Sequence, residues 1–121
     1  MTSGERIMKK ILLLSTVLLM AAPTLQAEET TFKAAKHMQK VNFGQKIFRK
    51  KLQRKCGYTA AHWALQHTQK EWEEVGTGES FKEEFVHMCP RGEKVLKDKW
   101  IDSLHLFAIE YAKDTGNRPR C

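Results

Sequence analysis

No stretch of this 121-residue chain alternates polar and apolar residues over any useful length. Half-buried strands are therefore set aside, and helical spacing carries the reading. Internal repeats and low-complexity tracts are also missing, which leaves an ordinary globular chain rather than an array or a tail. There is no Cys-x-x-Cys pair, and no His pair at i, i+4 with a carboxylate, so a structural zinc site has no ligand set at the usual spacing. Cysteine nucleophilic catalysis lacks its second half, because no glycine-rich turn that would supply oxyanion donors accompanies any of the three cysteines. No enzymatic activity is expected. Beyond the first thirty residues, no segment is apolar enough to span a bilayer, which takes about 20 apolar residues.

The N-terminus is different. "MKKILLLSTVLLMAAPTLQAEE", from Met8, has two lysines, an apolar run from Ile11 to Ala22 and a small residue, Ala27, before an acidic start. This pattern reads as a secretory signal peptide over residues 1–27, with Met8 as the natural start. No lipobox cysteine lies near the cleavage point, so a soluble periplasmic or secreted protein is expected. Cleavage after Ala27 leaves 94 residues, one domain by length. A domain this small buries only about 60–65% of its unfolded surface, so a disulfide or a cofactor would add to a modest core. Export permits a disulfide among Cys56, Cys89 and Cys121, with three pairings open and one sulfur left over. Cys56 with Cys89 is the favoured pair, and Cys121 with Cys89 the next.

Charge is unevenly spread. Residues 28–55 carry nine Lys/Arg against two acids, a net of +7, while residues 56–121 carry nine against eleven, a net of −2. The excess concentrates in "KIFRKKLQRK". An exported protein does not meet nucleic acid, so Lys46, Arg49, Lys50, Lys51, Arg54 and Lys55 point to an acidic protein partner or an anionic membrane surface, against the plain alternative of a solvated helix face.

Phe48, Leu52 and Cys56 recur at i, i+4 and i+8 and predict a first amphipathic helix opening near Gly44, after an N-terminal extension over residues 28–43. Ala61, Ala64, Leu65, Thr68, Trp72 and Val75 form a second stripe, ended by "GTG". "TQKE" at Thr68 fits a capping box, so that stripe can break after His67. "SFKE" at Ser80 repeats the pattern and predicts a short helix closed by Pro90. Leu96, Trp100, Leu104, Phe107, Ala108 and Tyr111 give a long last helix, with Gly116 placed as its left-handed C′ residue. An all-α domain over residues 44–121 follows, with the tail "NRPRC" returning Cys121 to the body.

One stretch concentrates unusual chemistry: "RKCGYTAAHWALQHTQKEW" holds one cysteine and two of the five histidines. His62 and His67 are five residues apart, which on one helix sets their rings about 140° apart, so they do not share a metal. A c-type haem takes Cys-x-x-Cys-His, and here Thr59 and Ala60 stand where the second cysteine and the histidine belong. Nevertheless "GQKIFRKKLQRKC" is similar to the opening helix of small c-type cytochromes, and "LKDKWIDSLHLFAIEYA" to their last helix. The arrangement "KKLQRKCGYTAAHWALQHTQKEW", then "MCP", then "EYAKDTGN" and a terminal cysteine resembles a group of small exported bacterial proteins that are cytochrome c-like but lack the haem pentapeptide. The resemblance runs from about Gly44 to Cys121. It implies a cytochrome c-like helix topology and a periplasmic electron carrier that docks an acidic redox partner. Haem would then be held by Cys56 as a single thioether, by His67 as the proximal iron ligand, and by Met88 or His87 as the distal one. The residues taken alone imply instead a haem-free binding module that uses the same basic helix. In that reading His67 is a helix-end residue, Met88 and the tryptophans are core, and His105 lies at the border of the apolar face.

Overall fold

The computed structural model describes residues 29–120, so the predicted signal segment and Cys121 lie outside the described residues. Two compact units divide the chain after Lys36. Of the first, residues 29–36 are described; they are helical and exposed. The second begins at His37, seven residues before the predicted boundary.

In the second unit, helix α1 runs through residues 37–47 and does not open at Gly44, which sits inside it. Glycine there answers to packing and not to a helix boundary. A Cβ at Gly44 would collide with the backbone of Ser103, so the missing side chain lets α1 lie directly on the last helix of the domain. A π-helical turn, Phe48–Leu52, follows, with the Gln53 amide donating to the Phe48 carbonyl, and α2, Gln53–Cys56, completes the rod. Gly57, at φ 79°, ends it.

The predicted break after His67 is present. Helix α3, Ala60–Ala64, is capped by Thr59, and α4, Gln69–Val75, by the Thr68 capping box, in which the Thr68 hydroxyl accepts from the Glu71 amide and the Glu71 carboxylate accepts from the Thr68 amide. The second predicted box does not form. Helix α5, Glu79–Met88, starts from Gly78, and the Ser80 hydroxyl donates back to the Val75 carbonyl instead. A 3-10 turn, Pro90–Gly92, leads to α6, Asp98–Glu110. Gly116 is left-handed as expected, at φ 72°, but α6 stops six residues earlier, so it belongs to the following turn and not to the helix cap.

The fold class is all-α, with one disulfide among the described residues, Cys56–Cys89. The core is aromatic. Phe48, Trp63, Trp72, Phe81, Phe85 and Phe107 are fully buried alongside Leu52 and Leu104. Trp63 sits among the rings, 5.3 Å from Phe48 and 4.9 Å from Trp72 between centroids, with Phe81 and Phe85 edge-on at 6.2 and 6.4 Å. These are the offset and edge-to-face arrangements that aromatic quadrupoles favour. The Trp72 indole donates to the Ala64 carbonyl at 2.9 Å, satisfying a buried acceptor at the end of α3. The tail is held by the Gln45 amide donating to the Arg120 carbonyl at 2.7 Å.

Candidate functional site

The π turn decides how the basic residues are presented. On an unbroken α-helix, Phe48 and Cys56 are eight residues apart and would point about 80° away from each other. One extra residue in a turn sets the chain back by about 100°, so the effective separation becomes seven and both side chains address the same side to within about 20°. Phe48 and Leu52 are buried, and Cys56 packs against the core from its edge. The cations move with them. In plain α register Lys55 would point toward the core, whereas all six of Lys46, Arg49, Lys50, Lys51, Arg54 and Lys55 are exposed. The six would spread over about 240° of an α-helix, and the extra residue gathers them into roughly 150°, opposite Val41, Phe48 and Leu52.

Among the described residues, this face has no ion-pair partner: the ion pairs use Lys40, Lys82, His37 and His67 as cations, and none uses a residue of the stripe. Phe43 precedes Lys46 and Lys50 by three and seven residues, hence shares their side of the helix, and is 44% exposed. Sequence reasoning missed it, although its spacing to the two lysines was legible.

Of the residues that the cytochrome resemblance assigned to haem, Cys56 and His67 are committed elsewhere. The Cys56 sulfur is bonded to Cys89. A sulfur in a disulfide has no thiolate to add to a vinyl group, so the thioether anchor is withdrawn for this state of the chain. His67 lies between α3 and α4, and its Nε2 is 2.8 Å from Glu84 Oε1 while its Nδ1 is 3.7 Å from Glu71 Oε2. Its ring stands edge-on to Trp72 at 4.8 Å, and its carbonyl accepts from the Lys113 amide at 3.1 Å. The imidazole thus ties α4 to α5, with a carboxylate near each nitrogen. Met88 is half-buried against the core, and its carbonyl accepts from the Tyr58 hydroxyl at 2.8 Å. His87 is exposed on α5, where it lines a groove against residues 93–98. His62 is exposed beside the Tyr58 ring, and His105 is a border residue, as expected, hydrogen-bonded to the Trp72 carbonyl at 2.7 Å.

A porphyrin does not fit this arrangement. The interior between α3 and α5 is filled by Trp63, Phe81 and Phe85, the cysteine is paired, and the imidazole is in contact with Glu84. Among the described residues, no group of three or more His, Cys, Asp or Glu side chains is placed to hold a metal ion. Compared with family models, curated proteins and solved structures, the chain matches none. The cytochrome c-like topology therefore rests on the sequence resemblance alone.

A second feature lies on α5. An open groove of about 620 Å³ runs between that helix and residues 93–98. Glu79, Glu83, Glu93 and Asp98 give it acidic walls, and Val86 and Leu96 give it an apolar lining. Lys82 bridges Asp98 at 2.8 Å and Glu79 at 3.3 Å. Those two contacts, Asp98 first, raise its pKa and keep the ammonium charged. Glu83 and Glu93 have no ion-pair partner among the described residues. The sequence showed these acids only as scattered charges, because the turn at Pro90–Gly92 is what folds Glu93 and Asp98 back beside α5.

Proposed function

We propose that this chain is a haem-free binding module of an exported protein, and that the basic face of α1, the π turn and α2 docks an acidic protein partner. The observation that carries the reading is the gathering of six exposed cations, without an ion-pair partner among the described residues, onto one side of a helix whose opposite side is buried. A fixed array of like charge meets a complementary surface by electrostatic steering and sets its register. Phe43 supplies a partly exposed aromatic beside the charges, the pairing of apolar anchor and polar rim found in protein interfaces.

An anionic membrane is the weaker match. Helices that lie in a bilayer interface insert an apolar face, and here that face, Val41, Phe48 and Leu52, is already covered by the protein's own core. Among the described residues no helix is long and apolar enough to cross a membrane. The disulfide supports an oxidising compartment. The electron-transfer reading would need haem, and Cys56, His67 and the filled core do not favour it.

Two measurements test the proposal. Protein produced with cytochrome maturation machinery should show no Soret band. Isothermal titration with poly-glutamate should show binding that weakens with salt, since exposed charges are screened within about 8 Å at physiological ionic strength. The variant Lys50→Glu/Lys51→Glu/Arg54→Glu should lose at least ten-fold in affinity with an unchanged circular dichroism spectrum. Binding indifferent to this reversal, or a preference for phosphatidylglycerol vesicles over poly-glutamate, would overturn the reading.

A further inference from the structure

We infer that the acidic surface this face meets includes that of a second copy of the same chain: the stripe of one molecule seats on the α5 groove of the next. The inference rests on the docking role proposed above and extends it by naming an occupant. Two independent complementarities carry it.

The first is charge. Among the described residues the stripe presents six cations without a carboxylate partner, and the groove presents four carboxylates against the ammonium of Lys82, with the His87 imidazole beside them. Glu83 and Glu93, exposed and unpaired among the described residues, are the groove's counterpart to Lys50 and Arg54. The second is apolar. Phe43 is exposed among the lysines of the stripe, and Val86 and Leu96, half-buried, line the groove among its carboxylates. Bringing the two together removes a ring from water against an aliphatic lining and leaves the ion pairs at the rim, the usual anatomy of a protein interface.

The two surfaces are different, so the contact is heterologous. Such a contact leaves one stripe and one groove free at the ends of every pair, and association continues past the dimer unless a ring closes. It is also reversed by salt.

The test is sedimentation equilibrium of the whole matured chain in low and high salt. In about 20 mM salt the weight-average mass should rise with concentration, and in about 0.5 M salt it should fall to the monomer. Lys50→Glu/Arg54→Glu cuts the net charge of the stripe from +6 to +2 and leaves the groove intact, and Glu83→Lys/Glu93→Lys turns the groove from −3 to +1 and leaves the stripe intact. Each variant alone should associate at least ten-fold more weakly than the parent. An equimolar mixture of the two should regain association, because each now offers the surface that the other lacks. A parent that stays monomeric in low salt, a mass increase insensitive to salt, or a mixture that fails to associate overturns the inference. If groove reversal leaves self-association intact while stripe reversal abolishes poly-glutamate binding, the docking role stands and the second-copy inference falls. If stripe reversal leaves poly-glutamate binding unchanged, the docking role itself falls.

Discussion

Replacing Gly44 by alanine sets two physical effects against each other with opposite signs. Helix propensity favours alanine over glycine in a helix interior by about 1 kcal/mol, so an isolated α1 would gain from the change. Packing opposes it. The new Cβ would fall on the Ser103 carbonyl oxygen, with the carbonyl carbon at 2.7 Å and the Leu104 nitrogen at 3.2 Å. Backbone atoms cannot swing aside as a side-chain end can, so α1 must move off α6. Overpacking of this kind costs roughly 1–3 kcal/mol, and more where the neighbour cannot yield. The movement would also loosen fully buried Val41 on α1, Phe48 on the π turn and Leu104 on α6, and a gap of even 0.5–1 Å forfeits about a quarter to a half of a dispersion contact. The net expectation is a loss of about 1–3 kcal/mol. At roughly 4–8 °C per kcal/mol for a domain of this size, the Tm should fall by about 5–20 °C. Thermal unfolding followed by far-ultraviolet circular dichroism reads this directly. Asn42→Ala, at an exposed position of the same helix, isolates propensity and should leave the Tm level or slightly raised. A Gly44→Ala protein as stable as the parent would refute the close crossing of α1 and α6.

Two further predictions concern ties along the chain. Removing the disulfide by Cys56→Ala/Cys89→Ala releases a loop of sequence separation 33, for which the chain-entropy relation gives about 3.7 kcal/mol at 25 °C; urea unfolding should report a loss near that size, and a change below about 1 kcal/mol would mean the bridge constrains little. Thr68→Ala removes the cap of α4 and should cost about 0.5–2 kcal/mol at neutral pH. The hydrogen bonds from the Thr68 amide and hydroxyl also hold the Glu71 carboxyl below its ordinary value of 4.5. A depressed carboxyl contributes stability above its unfolded value and loses it as pH falls through the folded one. The penalty of Thr68→Ala should therefore be full at pH 7 and shrink below about pH 4, and a penalty that grows in acid would contradict the capping box.

The sequence carried the all-α class because its signals were local. The spacing of Trp100, Leu104, Phe107 and Ala108 at one side of α6, and the Thr68 cap, depend on neighbours within a few residues, and both are present. Gly44 and the second capping box were misread for the opposite reason. The glycine serves a helix that is distant in sequence, and the Ser80 hydroxyl had a competing acceptor at Val75 that only the turn through Gly76–Gly78 brings within reach. The π turn left a trace that went unused: Phe48 and Cys56 at i, i+8 are too far out of phase to share one side of a regular helix. The acidic groove left none, since Glu83 and Glu93 meet only through the fold of the 3-10 turn.

Three of the residues that a cytochrome reading would give to a cofactor, Cys56, His67 and Met88, the last through its backbone carbonyl, join the segment from Cys56 to His67 to α5. Cys56 is bonded to Cys89, the Tyr58 hydroxyl donates to the Met88 carbonyl, and His67 meets Glu84. In a helical domain that holds a porphyrin, contacts from both segments run through the ring. Here they run directly, one covalent and two polar, around a packed centre at Trp63. Three ties spread over this length of chain fix α5 against the segment from Cys56 to His67 in more than one place. The stripe faces outward from the α1–α2 rod and the groove opens on α5, and the ties hold both rod and helix from the opposite, buried side. Charge reversal at Lys50, Arg54, Glu83 or Glu93 therefore alters what the surfaces attract without touching what holds them. This separation of surface from frame is what lets the binding experiments read recognition and not stability.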